Sequence, residues 1–164
     1  MKSIIIFTLA VAFALSGSLN SFGHSRNVSI FFPHSAVMSD NPDNAYEQYA
    51  ALDNALAKDN AVKAQKAATK LAVVLKDIPG SADAAKAATA ISKTKNIAVQ
   101  RKSFATLTTA ITKLFKAHKP DNVMIYIHYC PMKKAYWLSD SKEIENPYYG
   151  KSMPSCGKTT GMIM

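Results

Sequence analysis

Apolar residues recur every three or four positions in four consecutive segments of the chain, and this spacing predicts four amphipathic helices. In chain order, the predicted core positions are Ala45, Tyr49, Leu52 and Leu56; Ala61, Ala64, Ala68, Leu71, Leu75 and Ile78; Ala84, Ala87, Ala88 and Ile91; and Ile97, Phe104, Leu107, Ile111, Leu114 and Phe115. Because short polar connections separate the segments, we predict an antiparallel, up-and-down four-helix bundle.

Polar residues mark the ends of these helical segments. Side chains that can cap a helix are predicted at the first three helix starts: Asp43 or Asn44, Asp59, and Ser81. The fourth segment ends near His118, which we interpret as a helix-terminal histidine that faces the negative end of the helix dipole.

The period changes from helical to two after the fourth helix. Residues 123–129 alternate and carry β-branched and aromatic side chains, which predicts a strand. Residues 136–138 predict a second short strand that forms a hairpin with the first. The following residues have turn chemistry, and residues 159–164 predict a short, frayed tail. The predicted fold class is therefore mainly α, a four-helix bundle with a small C-terminal β-hairpin and an irregular segment.

The N-terminal region has a different composition. Residues 4–15 are almost entirely apolar, follow a lysine and precede small and polar residues, which predicts a signal peptide at residues 1–23, cleaved near Gly23. An uncleaved anchor is the alternative, although the run is shorter than the roughly 20 residues that span a membrane. Residues 24–44 are polar and contain two prolines, and predict a flexible linker.

We therefore expect one exported domain at residues 45–158, with a Cys/Met segment at residues 119–158. The formal net charge is +9, but the lysines are scattered singly along the helical segments. This distribution favours a solvated surface with weak contact to anionic membranes, and export argues against nucleic acid as a partner. The sequence contains no nucleophile-elbow or phosphate-binding motif, so we predict no enzymatic activity.

Both cysteines lie in the Cys/Met segment, each close to a methionine. A proline separates Cys130 from Met132, and another proline lies between Met153 and Cys156. Thiolate and thioether are soft donors, which select copper(I) among the common ions. The strand period places His128 on the same face as Cys130. These five residues are therefore candidate ligands of copper(I).

A disulfide between Cys130 and Cys156 is the main alternative, because an oxidising compartment favours pairing two cysteines. Such a bond would close a loop of about 27 residues and stabilise the fold by about 3 kcal/mol in the chain-entropy model. The protein would then be a non-catalytic structural or interaction module. Methionine and aromatic residues more often fill cores than bind metals. On this basis we expect Met124 to be a core residue. We expect four aromatic residues to pack the C-terminal segment onto the bundle: Tyr136, Trp137, Tyr148 and Tyr149.

One set of residues in the C-terminal segment and on the fourth helix forms a distinctive signature: Cys130-Pro131-Met132, Tyr136-Trp137-Leu138-Ser139, Ile144, Asn146-Pro147-Tyr148, Gly150, Met153 and Cys156-Gly157, together with Arg101, Phe104 and Leu107. Through these residues the chain resembles a bacterial family, the domain of unknown function 3347. The family occurs as small exported proteins and as C-terminal extensions of periplasmic adaptor subunits of heavy-metal efflux pumps. The resemblance covers about residues 45–158 and implies a periplasmic role in copper or heavy-metal handling. It also implies such an adaptor subunit as partner, and it points to Cys130, Met132, Met153 and Cys156 as the site.

Overall fold

The computed structural model describes residues 42–121 and 123–164. The predicted signal peptide and the predicted linker up to residue 41 lie outside the described residues. The described elements are α1 (Pro42–Ala57), α2 (Ala61–Val74), α3 (Ala82–Ser92), α4 (Ile97–Ala117), β1 (Ile125–Cys130), β2 (Ala135–Ser139) and β3 (Lys158–Ile163). Two short 3-10 turns occur at Leu75–Asp77 and Gly150–Ser152. No helix in the described ranges is long and apolar enough to cross a membrane.

Helix α1 begins earlier than predicted. Pro42 is its first residue, a position that suits proline because the missing N–H would have no partner within the helix. Asp43 and Asn44 therefore lie in the first turn of α1, and the predictions that they cap it or belong to a linker are wrong. The Asp43 carboxylate instead accepts a hydrogen bond from the Asp121 backbone N–H at 2.8 Å.

The turn between α1 and α2 corrects the predicted cap of α2. Asp59 has a left-handed backbone with φ of 57°. The N–H of Asn60 bonds to the Ala55 carbonyl at 2.8 Å, and the N–H of Asp59 bonds to the Leu56 carbonyl at 3.2 Å, which is the Schellman pattern of a helix end. The side chain of Asn60, not of Asp59, caps α2 by accepting the Lys63 N–H at 2.9 Å.

Ser81 and His118 occupy the predicted ends of their helices. Ser81 directly precedes α3, but its hydroxyl donates to the Leu75 carbonyl and makes no capping bond to α3. His118 follows α4, is exposed, and its backbone N–H bonds to the Leu114 carbonyl at 2.7 Å. His118 is therefore a helix-terminal residue, as interpreted from the sequence.

The four helices bury the stripes that the sequence predicts. Every predicted helical core position is buried except Ala61 and Ile97, which begin their helices and are half-buried. Each helix packs chiefly on the next one along the chain. Helices α1 and α4 meet through larger side chains, since the rings of Tyr49 and Phe104 stack with centroids 5.3 Å apart. The described chain is thus mainly helical, as predicted.

The three strands form an antiparallel sheet in the order β2-β1-β3. Strands β1 and β2 are the predicted hairpin, in which Cys130 lies opposite Ala135 and His128 opposite Trp137. The four residues between these strands form the hairpin turn, and Lys134 in this turn has a positive φ of 55°. The sheet therefore fixes Cys130 at the last position of β1, beside the turn.

Strand β3 corrects the prediction of a frayed tail at residues 159–164. It pairs with β1, and Ile163 lies opposite Ile125 with both side chains buried. The Thr160 hydroxyl donates to the Ile127 carbonyl at 3.1 Å. The threonines of β3 favour a strand, but the segment lacks the alternation of apolar and polar residues by which a strand is identified in a sequence.

The two faces of the sheet have different neighbours. The face that carries Ile127 and Tyr136 lies against α4, where a cleft of about 400 Å³ remains. The opposite face carries His128, Cys130 and Trp137, and the loop at residues 140–157 covers it. The central strand therefore holds Cys130 beneath this loop.

The exposure of Met124 corrects its prediction as a core residue. Met124 precedes β1 and is 52% exposed, because the strand turns Ile125 inward and Met124 outward. Tyr136 is 51% exposed on the edge strand, where it lines the cleft between the sheet and α4. Trp137 and Tyr148 are buried as predicted. Tyr149 is half-buried.

Candidate functional site

The two cysteines lie next to each other on the loop-covered side of the sheet. Their Sγ atoms are 3.7 Å apart, and both thiols are free. Cys130 is fully buried at the end of β1, whereas Cys156 is half-buried at the end of the covering loop. The predicted proximity of the two cysteines is therefore confirmed.

The hairpin turn directs backbone N–H groups at both sulfurs. The Lys133 N–H donates to Cys130 Sγ at 3.4 Å, and the Met132 backbone hydrogen-bonds the Cys156 thiol. The Met132 donor lowers the pKa of the Cys156 thiol, because a hydrogen-bond donor favours the charged thiolate over the neutral thiol.

Other features oppose that charge at Cys156. Burial raises the pKa of the Cys156 thiol above its ordinary value, and both the hydrogen bond with Cys130 and the charge of Cys130 act in the same direction. The Met132 backbone bond lowers this pKa but does not reverse the shift. Because metals bind the thiolate, an ion that binds Cys156 must displace a proton.

The two methionines belong to the turns that hold the thiols. Met132 follows Cys130 in the hairpin turn, and its side chain is 65% exposed. Met153 is half-buried, and its carbonyl accepts the Cys156 N–H at 3.3 Å. Backbone hydrogen bonds thus connect each methionine directly to Cys156.

His128 is fully buried, and both of its ring nitrogens have partners. Nε2 lies 3.0 Å from the Ser141 carbonyl, and Nδ1 lies 3.0 Å from the Thr159 hydroxyl. Because a carbonyl only accepts, Nε2 carries the proton and Nδ1 accepts from Thr159. Burial lowers the pKa of His128, although the Ser141 bond opposes this effect. His128 therefore links β1, β3 and the loop as a neutral side chain.

Asn146 organises the covering loop, a role that the sequence does not reveal. It is fully buried, and its side-chain oxygen accepts the backbone N–H groups of Tyr148 and Tyr149 at 2.8 and 3.2 Å. Its side-chain nitrogen donates to the Cys156 carbonyl, and its backbone N–H bonds to the Pro154 carbonyl at 2.8 Å. Asn146 therefore fixes the segment that presents Cys156.

Arg101 ties the same loop to the helices. Its Nε donates to the Pro147 carbonyl at 2.7 Å, and its Nη2 donates to the Leu56 carbonyl at 2.8 Å. Nη2 also lies 2.6 Å from the Asp59 carboxylate, whose second oxygen accepts the Lys151 N–H at 3.1 Å. The hydrogen bond from Arg101 lowers the pKa of Asp59. The sequence signals Arg101 only through the family resemblance.

Gly150 allows the loop to pack against Arg101 and Asp59. Its φ is +54°, and a Cβ at this position would lie 2.3 Å from both Arg101 Nη2 and Asp59 Oδ1. A left-handed backbone and a lack of space therefore both require glycine here.

Across residues 42–121 and 123–164, no three His, Cys, Asp or Glu side chains are grouped so that they could hold a metal ion. A metal at the thiol pair would therefore need donors of another kind. The methionine thioethers in the two turns are the nearest such donors along the chain.

Comparison with protein families identifies the helical part of the chain. Residues 45–122 match the model of DUF3347, described as a protein of unknown function. Comparisons with curated proteins and with solved structures gave no match. The matched range ends before Cys130, so the resemblance of the thiol segment to the family stays a prediction. The match over residues 45–122, which holds most of α1 and all of α2, α3 and α4, supports the DUF3347 family.

Proposed function

We propose that the protein is an exported, non-catalytic module that binds a soft metal ion, copper(I), and serves heavy-metal efflux or homeostasis. The observation that supports this proposal most directly is the 3.7 Å separation of the Cys130 and Cys156 sulfurs. Two sulfurs that share one ion at about 2.3 Å each, the zinc–thiolate distance, lie at most about 4.6 Å apart. The thiol pair fits within this limit.

The chemistry of the available donors favours copper(I) over zinc. Structural zinc sites use four cysteine or histidine ligands, and no third side chain of that type is grouped with the thiols in the described residues. The thioethers of Met132 and Met153 suit a soft ion instead. We leave His128 out of the proposed ligand set because both of its nitrogens already have hydrogen-bond partners.

The exposure of Met132 supports a transfer role. A weakly held thioether at the surface can exchange with a donor from another protein without unfolding the site. The proposed recipient is a periplasmic adaptor subunit of a metal efflux pump, a partner that comes from the family resemblance. The helices serve as the scaffold, for which we propose an up-and-down bundle because consecutive helices pack on each other. The net positive charge adds weak attraction to anionic membranes.

Competition with a chromogenic copper(I) chelator tests the proposal. The reduced protein should withdraw one ion per chain from the chelator. A Cys130→Ser/Cys156→Ser variant should withdraw none, and Met132→Leu/Met153→Leu should compete more weakly. The matched control is Met124→Leu/Met162→Leu, which changes two exposed methionines away from the turns and should compete like the wild type. Unchanged competition by the double cysteine variant would remove the proposal.

The same sulfur separation supports a second candidate, a structural or interaction module in which a Cys130–Cys156 disulfide fixes the loop. Thiols at 3.7 Å need only small side-chain movements to bond. Counting thiols in freshly isolated, unreduced protein separates the candidates. No free thiols, a mass lower by two hydrogens and no bound metal would favour the disulfide, whereas two free thiols would favour the metal site.

A further inference from the structure

A groove lined with lysines runs between α1 and α2, in a part of the molecule that the thiol site does not use. Its volume is about 370 Å³. Lys58 follows α1, while Lys63, Lys66 and Lys70 are spaced by three and four residues on α2 and therefore lie on one side of that helix. All four side chains are exposed. The fold thus gathers on one surface lysines that are scattered along the chain.

In the described part of the chain, the lining of this groove carries no negative charge, because no carboxylate is among its residues and α2 contains no acidic residue. None of the four lysines forms an ion pair with another described residue, since the pair found in those ranges joins Arg101 and Asp59. Like charges three or four residues apart on a helix destabilise it slightly. An anionic ligand would relieve this repulsion.

The remaining lining residues indicate the class of ligand. Gln48 and Asn54 supply amide groups, which offer both hydrogen-bond donors and acceptors. Ala55 and Ala67 are buried at the base of the groove. Phosphate oxygens only accept hydrogen bonds, whereas a peptide backbone both donates and accepts. A flat lipid surface would reach the lysine tips without filling the groove between the helices.

We infer that this groove binds an acidic polypeptide segment of a partner protein. Lys63 and Lys70 are seven residues apart, which corresponds to about 10 Å along α2. An extended chain covers that distance in about three residues. The fitting segment is therefore short, with carboxylates facing the lysines and its backbone against the amide groups.

Fluorescence anisotropy of a labelled oligoglutamate peptide, titrated with the purified protein, tests this inference. Changing Lys58, Lys63, Lys66 and Lys70 together to Gln should weaken binding about tenfold or more, since each exposed ion pair contributes a little and four are lost together. The matched control removes the same charge from exposed lysines elsewhere: Lys93, Lys95, Lys102 and Lys119. This control should bind within about twofold of the wild type if the groove is the site.

Equal weakening in both variants would overturn the inference, because binding would then follow net charge alone. Stronger binding to phosphatidylglycerol vesicles or to polyphosphate than to the peptide would also overturn it. The Cys130→Ser/Cys156→Ser variant should bind the peptide like the wild type, which keeps this result independent of metal binding. Circular dichroism should show unchanged helicity in both lysine variants.

Discussion

Asp53 carries an unsatisfied polar group in the core. The residue is 8% exposed, and its Oδ1 atom has no hydrogen-bond partner among the described residues. Burial raises the pKa of Asp53 well above its ordinary value, and the charges of Glu145 and Asp140 raise it further. Burying a carboxylate without a partner is costly, so the folded protein favours protonated Asp53.

Asp53 should make the protein less stable as pH rises. Because the pKa of Asp53 is higher in the folded state than in the unfolded state, its contribution to the free energy of unfolding is complete below the unfolded-state pKa of about 3.9. This contribution is lost as the pH rises through the folded-state pKa. Asp53→Asn should remove this loss and raise the free energy of unfolding at neutral pH by about 1 kcal/mol or more. Urea denaturation from pH 4 to 8 measures both effects, with exposed Asp83→Asn as the control. The same pH dependence in wild type and Asp53→Asn would contradict this explanation.

Gly150 should tolerate no side chain. Gly150→Ala adds a Cβ in contact with Arg101 and Asp59 and strains a positive-φ backbone, so we expect a loss of about 2 kcal/mol or more. Gly80→Ala is the matched control, because Gly80 also has a positive φ but its added Cβ would meet nothing within 4 Å. Thermal unfolding should show a clearly larger loss for Gly150→Ala than for Gly80→Ala. Equal losses of stability in the two variants would mean that the cost comes from backbone strain alone and not from contact with Arg101 and Asp59.

These residue roles explain what the sequence could not predict. The proximity of Cys130 and Cys156 follows from two turns that each carry a cysteine. Apart from the family resemblance, Asn146 and Gly150 have only turn chemistry in the sequence. The neighbours of Gly150 are Arg101 and Asp59, which lie many residues away in the chain, so no local pattern could predict their contact.

Among the elements, β3 holds the central strand and its histidine. The Thr159 hydroxyl donates to His128 Nδ1, whereas the neighbouring Thr160 hydroxyl bonds to the Ile127 carbonyl in an exposed position. Thr159→Val should lower the free energy of unfolding by about 1 kcal/mol, since it leaves a buried nitrogen without a partner. Thr160→Val should cost less, because water can replace its bond. Urea denaturation of both variants tests this order, and the reverse order would contradict it.

The helices were the predictable elements because each repeats its core stripe over several turns. The stripe of α4, from Phe104 to Phe115, is buried as predicted. Helix ends were less predictable, since Asp59 and Asn60 are both good caps and only the left-handed turn selects Asn60. Strand β3 was missed because a six-residue strand with an exposed first half has no apolar alternation to detect.

In the whole molecule, folding concentrates part of the positive charge on one surface. The lysines of α2 are spaced singly in the sequence, where they suggest only a solvated surface. Packing of α1 on α2 brings Lys58 and Lys63 to one groove, which turns a general positive charge into a local one. The position of these lysines depends on how α1 packs on α2, which the spacing of residues within a single helix cannot predict.

The proposed metal site should depend on pH. Because the pKa of Cys156 is raised, copper(I) must displace its proton across the neutral range. The apparent association constant should therefore fall by about tenfold or more per pH unit as the pH is lowered from 8 to 6. Chelator competition at several pH values measures this slope. An affinity independent of pH would mean that the Cys156 thiolate is not a ligand.

X-ray absorption spectroscopy of the copper(I)-loaded protein tests the proposed thiol site, because it identifies the atoms bound to the metal. We expect a shell of sulfur atoms at about 2.3 Å, which is lost in the Cys130→Ser/Cys156→Ser variant. A shell of nitrogen or oxygen atoms, or a sulfur shell that survives removal of both cysteines, would contradict it.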